Sequence, residues 1–232
     1  LTMAKRTAAG SNAPSVRKTL PGGLFITLEG GEGSGKSTQA KNLAAQLCEE
    51  GYDVIATHEP GGTPAGAVVR EVLLSGHGAD LGPLAEASLL TSARRDHVDH
   101  LIAPALLDGK IVVCDRFADS TRIYQGYVGG IPMHTIDQME QVATDGLMPA
   151  TTLVLDVDAE TADERRKARL AVKQDADDRF EKEDASFHAK VRQGFRWLCK
   201  RFPDRCVLID ASGTPDKVSQ AVRDAMRLRG LV

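Results

Sequence analysis

From residue 24 onward the chain alternates short β-branched or apolar runs with longer segments whose apolar residues recur every three to four positions. A run of about five such residues fits a strand buried on both faces, and the longer period fits a helix with one apolar stripe. This pattern predicts strands at 24–28, 54–58, 111–115, 153–157 and 207–210. Helices are predicted at 37–50, 66–75, 84–107, 133–144, 159–171, 185–201 and 215–228. Pro104 is expected to break or bend the third helix, because it removes an N–H and crowds the preceding turn. Strands that alternate with helices signal a parallel sheet covered on both faces, so the fold class is α/β with one five-stranded sheet. No internal repeat is visible, and the segment 163–184, dense in charges of both signs, reads as a surface flap.

Composition narrows the picture. The 232 residues are 42% apolar and 26% charged, which is globular and ample for a core. A single domain from 23 to 232 is expected. With 29 Lys plus Arg against 32 Asp plus Glu, the net charge of −3 argues against a nucleic-acid partner. The longest apolar runs, 24–28 with Thr27 inside it and 111–114, are strand-sized, so no membrane span is expected. Cys48, Cys114, Cys199 and Cys206 lack the close spacing of a zinc or redox clip and read as thiols of a reducing, cytoplasmic compartment. Residues 1–22 mix Ala, Ser, Pro, Lys and Arg without a continuous apolar stretch, which argues against a secretory signal. Their lack of acids is a trait shared with organellar transit peptides, yet a disordered tail is the expectation.

The first chemistry lies at Gly30-Gly31-Glu32-Gly33-Ser34-Gly35-Lys36-Ser37, which satisfies G-x-x-x-x-G-K-[ST] between a predicted strand and a predicted helix. Glycines let the backbone curl so that N–H groups and the helix N-terminus face phosphate oxygens. Lys36 adds a positive charge and Ser37 can coordinate Mg²⁺. A glycine-rich turn that only caps a helix is the alternative, and the flanking strand and helix disfavour it. Asp115, ending an apolar strand, supplies a second candidate metal ligand, with Arg116 directly after it.

A phosphoryl acceptor would need cationic donors, and Arg70, Arg94, Arg95 and Arg116 fall where loops would face the phosphate site. Arg94 and Arg95 cannot share a helical face, so only one should bind. In the flap, Arg165, Arg166, Lys167 and Arg169 crowd one helical segment, with Arg179 further on. They fit a solvated helix balanced by Asp163 and Glu164, or equally a lid around 165–182 that closes over a triphosphate. Asp96, His97, Asp99 and His100 mimic a metal cluster, but no further ligand motif accompanies them. Trp197, Phe195 and Phe202 read as packing.

Four motifs in order carry a resemblance. Leu28-Glu29 with the glycine loop through Thr38, then Glu59-Pro60-Gly61-Gly62-Thr63, then Asp115-Arg116-Phe117, then Ser120 to Gly126, together resemble the thymidylate kinase family from about residue 24 to the C-terminus. The resemblance implies a nucleoside-monophosphate-kinase fold, transfer of the ATP γ-phosphate to dTMP with Mg²⁺, and a homodimer. It places Gly30 to Thr38 on ATP, with Glu32, Lys36, Arg116, Arg165 and Arg169 in catalysis. It places Glu59, Arg70, Leu90, Arg94, Arg116, Thr121, Tyr124 and Gln125 around dTMP. Within that set Arg94 addresses the base, Arg70 and Arg116 the acceptor phosphate, and Tyr124 lies beneath the sugar. Arg95 is the spare arginine. Glu32 stands where one subgroup has a basic residue, and Arg165, Lys167 and Arg169 compensate from the lid, as in the bacterial type. Leu90 stands where the family commonly stacks a phenylalanine on thymine, so weaker or less selective acceptor binding is expected. The rival readings are another P-loop kinase, for a different nucleotide or a metabolite such as shikimate, and a nucleotide-dependent switch. The switch lacks support because neither D-x-x-G nor N-K-x-D occurs.

Overall fold

The computed structural model describes residues 17–74, 81–172, 180 and 183–231, without the side chains of 169–172. Its centre is a parallel sheet of β1 (Leu24–Glu29), β2 (Val54–His58), β3 (Ile111–Asp115), β4 (Thr151–Asp156) and β5 (Cys206–Asp210), in the order β2-β3-β1-β4-β5. All five strands lie where the apolar runs predict them, within one or two residues. Because successive side chains of a strand point to opposite faces, β1 feeds two cores. Leu24, Ile26 and Leu28 pack with Leu43 and Leu47 of α1 (Lys36–Glu49) and with Val218, Val222 and Met226 of α9 (Pro215–Leu228). Phe25 faces Val98, Ile102 and Phe117 on the other side. The remaining β1 residues of that second face, Thr27 and Glu29, are polar and fully buried.

The predicted 84–107 helix is α3 (Gly82–His97), a wider π-helical segment (Val98–Ile102) and α4 (Ala103–Leu107). Pro104 does not break it. The irregularity sits just before the proline, where the Ala103 N–H reaches five residues back to the Val98 carbonyl. A wider turn relieves the clash that a proline ring makes with the turn before it. The chain continues as α2 (Pro64–Leu74), α5 (Ala118–Thr121) with a second π-helical segment (Arg122–Val128), α6 (Met133–Thr144), α7 (Ala159–Val172) and α8 (Ala185–Arg201). The helical stretch 118–128 has no counterpart in the periodicity reading. Its residues Ala118, Thr121, Ile123, Tyr124 and Gln125 are all buried, so no polar stripe marks a helix.

Residues 17–22, assigned to the leader by sequence, lie against the sheet. Lys18 N–H donates to Gly51 O at 2.7 Å and Leu20 N–H to Gly109 O at 2.8 Å, and Leu20 packs on the core. Residues 1–16 lie outside the described part, as do 173–179, 181 and 182 of the expected lid. Among the described residues no helix is long and apolar enough to cross a membrane. Cys114 and Cys206 are buried, Cys48 and Cys199 are half-buried, and none of the four is in a disulfide.

Candidate active site

Strands β1 and β3 are direct neighbours, with Leu28 opposite Asp115, so the glycine loop after β1 and Asp115-Arg116 after β3 meet at one edge of the sheet. Two glycines show why the loop sequence is needed. At Gly30 (φ 140°) a Cβ would lie 2.5 Å from the Leu155 carbonyl oxygen, and at Gly33 (φ 77°) 2.5 Å from that of Ala162. Strand β4 and helix α7 therefore close on a bare backbone. Helix α1 begins without a side-chain cap, so its first N–H groups keep their donor capacity and positive dipole end for an anion. Lys36 lies across this loop, donating from Nζ to Gly31 O at 2.7 Å. Burial, then the nearby Arg116, lower its pKa to about 8.

These groups open on a cleft of about 620 Å³, a size suited to small ligands. Glu32, Gly33, Gly35, Lys36, Ser37 and Thr38 line its loop side. Glu59, Arg70, Leu90, Asp115, Arg116, Tyr124 and Gln125 are among the residues that line the rest. Arg116 occupies left-handed backbone space (φ 71°), which is uncommon for a residue with a Cβ. Its guanidinium pairs with Glu32, donates to Ser120 Oγ at 3.1 Å and Tyr124 Oη at 3.3 Å, and lies 5.2 Å from the Tyr124 ring centre. Tyr124 Oη in turn donates to Glu32 Oε1 at 3.1 Å.

Ser37 Oγ donates to Asp115 Oδ2, while Asp115 Oδ1 is buried with no hydrogen-bond partner among the described residues. A hydroxyl beside a carboxylate with an unsatisfied oxygen is a hard-oxygen donor set that fits Mg²⁺.

Arg94 lies behind the cleft wall rather than on it. Its Nε is 2.8 Å from Glu59 Oε2, and its Nη1 is 2.6 Å from Glu140 Oε1 and 3.1 Å from Thr121 Oγ1. Burial works against this guanidinium charge, but Glu140 and Glu59 outweigh it and push its pKa upward. His97 joins the same buried group, bonded to Glu59 Oε1 at 2.9 Å and Thr57 Oγ1 at 2.8 Å. This arrangement accounts for His97 without a metal. Arg95 points outward and pairs with Asp99 at 2.7 Å, so the two adjacent arginines do separate.

One of the expected lid residues is placed differently from expectation. Arg165 donates to the carbonyls of Ala211 and Gly213 at 2.9 Å each and does not line the cleft, because its face of α7 turns toward the loop after β5. Lys167 is exposed, and the side chains of Arg169 and Arg179 lie outside the described residues. Sequence reasoning missed Glu29, His58, Glu86, Glu140 and Phe180. Phe180 lines the cleft and meets Tyr124 edge-on at 5.5 Å. Glu29 stands inside the first quoted motif and was the one of these that the sequence could have flagged; the others sit in segments with no chemical pattern of their own.

Comparison with known proteins agrees with this geometry. The family model described as thymidylate kinase matches residues 28–222. The chain is 49% identical to a thymidylate kinase of Bradyrhizobium sp. strain BTAi1 over 89% of this chain and 91% of that protein. It is 44% identical to one from Caulobacter vibrioides over 88% and 96% of the two chains. Among solved structures, a thymidylate kinase from Ehrlichia chaffeensis matches with a TM-score of 0.70 and 36% identity over 89% of this chain and 99% of the other. A glycine loop, a strand-end aspartate and two arginines, Arg70 and Arg116, on one cleft, together with relatives of this closeness along most of the chain, place the protein in the thymidylate kinase family.

Proposed function

We propose that this chain transfers the γ-phosphoryl group of ATP to the 5′-phosphate of dTMP, giving dTDP and ADP. The observation that carries the reading is that one cleft is lined on one side by Lys36, Ser37 and Thr38 and on the other by Glu59, Arg70, Leu90, Arg116, Tyr124 and Gln125. Donor and acceptor phosphates would meet there in line.

The acceptor phosphate has a second pKa of about 6 and is largely dianionic at neutral pH, so the chemistry requires no base. It requires alignment and cancellation of repulsion between two anions. The loop amides and Lys36 hold the donor tail, and Arg116 and Arg70 hold the acceptor. Ser37 and Asp115 would hold Mg²⁺, which when bound neutralises charge on the donor phosphates. Tyr124 packs under the sugar and Leu90 covers one face of the base by dispersion. Nε and Nη1 of Arg94 are taken up by Glu59, Thr121 and Glu140, and this reading has Nη2 reach the thymine from behind the wall. Arg165 acts at the loop 211–213 rather than on phosphate. The unpaired cysteines support work in the cytoplasm, and a homodimer is proposed on the apolar surface residues considered below.

The test is coupled ADP release with ATP, Mg²⁺ and dTMP, dUMP, dGMP or CMP. Preference for dTMP is expected. Lys36→Ala should lower kcat by roughly a thousandfold or more while the far-UV circular dichroism stays native. Near-normal kcat in that variant refutes the assignment, and phosphate release without any acceptor would favour a switch.

A further inference from the structure

Gln125, in the π-helical segment Arg122–Val128, lines the cleft and is almost completely buried. Its Nε2 donates to Glu86 Oε2 at 3.0 Å, while its Oε1 is buried with no partner among the described residues. The orientation of an amide is settled by its neighbours, and a carboxylate can only accept, so the end facing Glu86 must be the NH₂. Glu86 is itself buried, on helix α3 four residues before Leu90 and eight before Arg94. That spacing sets all three along one side of the helix, with Leu90 on the cleft wall between them.

We infer that Glu86 is a positioning residue that sets the polarity with which the acceptor base is read. By holding Nε2 it leaves the Gln125 carbonyl as the contact this side chain offers a ligand. A carbonyl takes a base whose ring edge presents an N–H, as thymine and uracil do. It disfavours cytosine, whose ring nitrogen presents a lone pair and would leave both acceptors facing each other. The 5-methyl group is not read by this contact. The inference rests on the dTMP reading above and adds a residue to it.

The experiment measures kcat/KM of the intact chain and of Glu86→Gln with dTMP, dUMP and dCMP. Glutamine at 86 can donate as well as accept, so the Gln125 amide can turn over. The preference for dTMP over dCMP should fall by about tenfold or more, mainly through a higher KM for dTMP, while the preference for dTMP over dUMP stays within about twofold. General loosening of the site would move both ratios together. An unchanged dTMP to dCMP ratio, or equal changes in both, overturns the inference. Should the variant not fold, calorimetry on the unaltered chain serves. Binding of 3-methyl-dTMP should be about tenfold weaker or worse than that of dTMP, and equal affinity overturns the inference. An unaltered chain that does not turn over dTMP removes the parent reading instead.

Discussion

Glu29 connects the fold to the chemistry through three hydrogen bonds. Its Oε1 accepts from the N–H groups of Phe117 at 2.8 Å and Ser120 at 3.2 Å, and its Oε2 accepts from Ser120 Oγ at 2.7 Å. Ser120 Oγ accepts in turn from Arg116, so the last residue of β1 holds the turn on which the left-handed Arg116 depends. Burial and then Asp119 raise the Glu29 pKa to about 7, against the pull of Arg116 and the hydrogen bonds from Ser120 and Phe117. Lys36 and Arg205 also face it. Because the folded-state pKa lies above the ordinary 4.5, the unfolded chain releases this proton first. The contribution of Glu29 to stability is therefore largest below about pH 4.5 and declines as pH rises toward about 7. Catalysis runs the other way, since only the carboxylate accepts all three donors. The kcat/KM for dTMP should gain an ascending limb near pH 7 that Glu29→Gln lacks, leaving only the limb of the acceptor phosphate near about pH 6. Superimposable profiles for the two proteins would exclude this role.

Between elements, the second face of the sheet is tied by polar contacts where apolar ones would be expected. Thr27 of β1 bonds Thr152 of β4 at 2.8 Å, Thr152 bonds Asp119 of α5 at 3.1 Å, and Arg205, just before β5, meets Asp119 Oδ1 at 2.9 Å. Burial disfavours the Asp119 charge, yet Arg205, Arg122 and Thr152 more than compensate and hold its pKa down. Removing Arg205 leaves the buried Asp119 charge with only the more distant Arg122 and the Thr152 hydroxyl to hold it. Arg205→Ala should cost about 3 kcal/mol in urea unfolding, while Asp119→Asn combined with Arg205→Leu should cost less than the single change. Equal losses would show that packing, not charge, dominates. The helical stretch 118–128 that carries Asp119 was not legible from periodicity, because a segment buried on most of its faces shows no clear polar stripe. Its chemistry was legible, through Asp115-Arg116-Phe117 and the motif beginning at Ser120. The opposite holds for α9, where Thr214 and Pro215 mark the start and Val218, Val222 and Met226 mark the buried face.

At the scale of the whole molecule, four of the exposed large apolar side chains lie on α2, α3 and α6, and α3 packs against both of the others. They are Val68 and Val72 on α2, Leu84 on α3 and Val142 on α6, with Val68 62% and Val142 71% exposed. Water-facing apolar residues on adjoining helices fit the proposed homodimer. Sedimentation equilibrium at micromolar concentration should give twice the chain mass, and a single-chain mass would remove the proposal. The linear chain determined the α/β class, the five strands and the phosphate loop, because these depend on local periodicity and on spacing within a motif, and the family resemblance pointed to thirteen of the twenty-three described residues that line the cleft. Only the folded arrangement decided that Arg94 lies behind the wall between Glu59 and Glu140, that Arg165 serves a neighbouring loop, and that Glu29 and Glu86 stand behind Arg116 and Gln125. Those partners come from segments 35 to 91 residues apart, and no local pattern encodes which buried acceptor a donor will meet. The choice is made when the sheet brings distant chain segments together and each buried polar group must find a partner or stay unsatisfied.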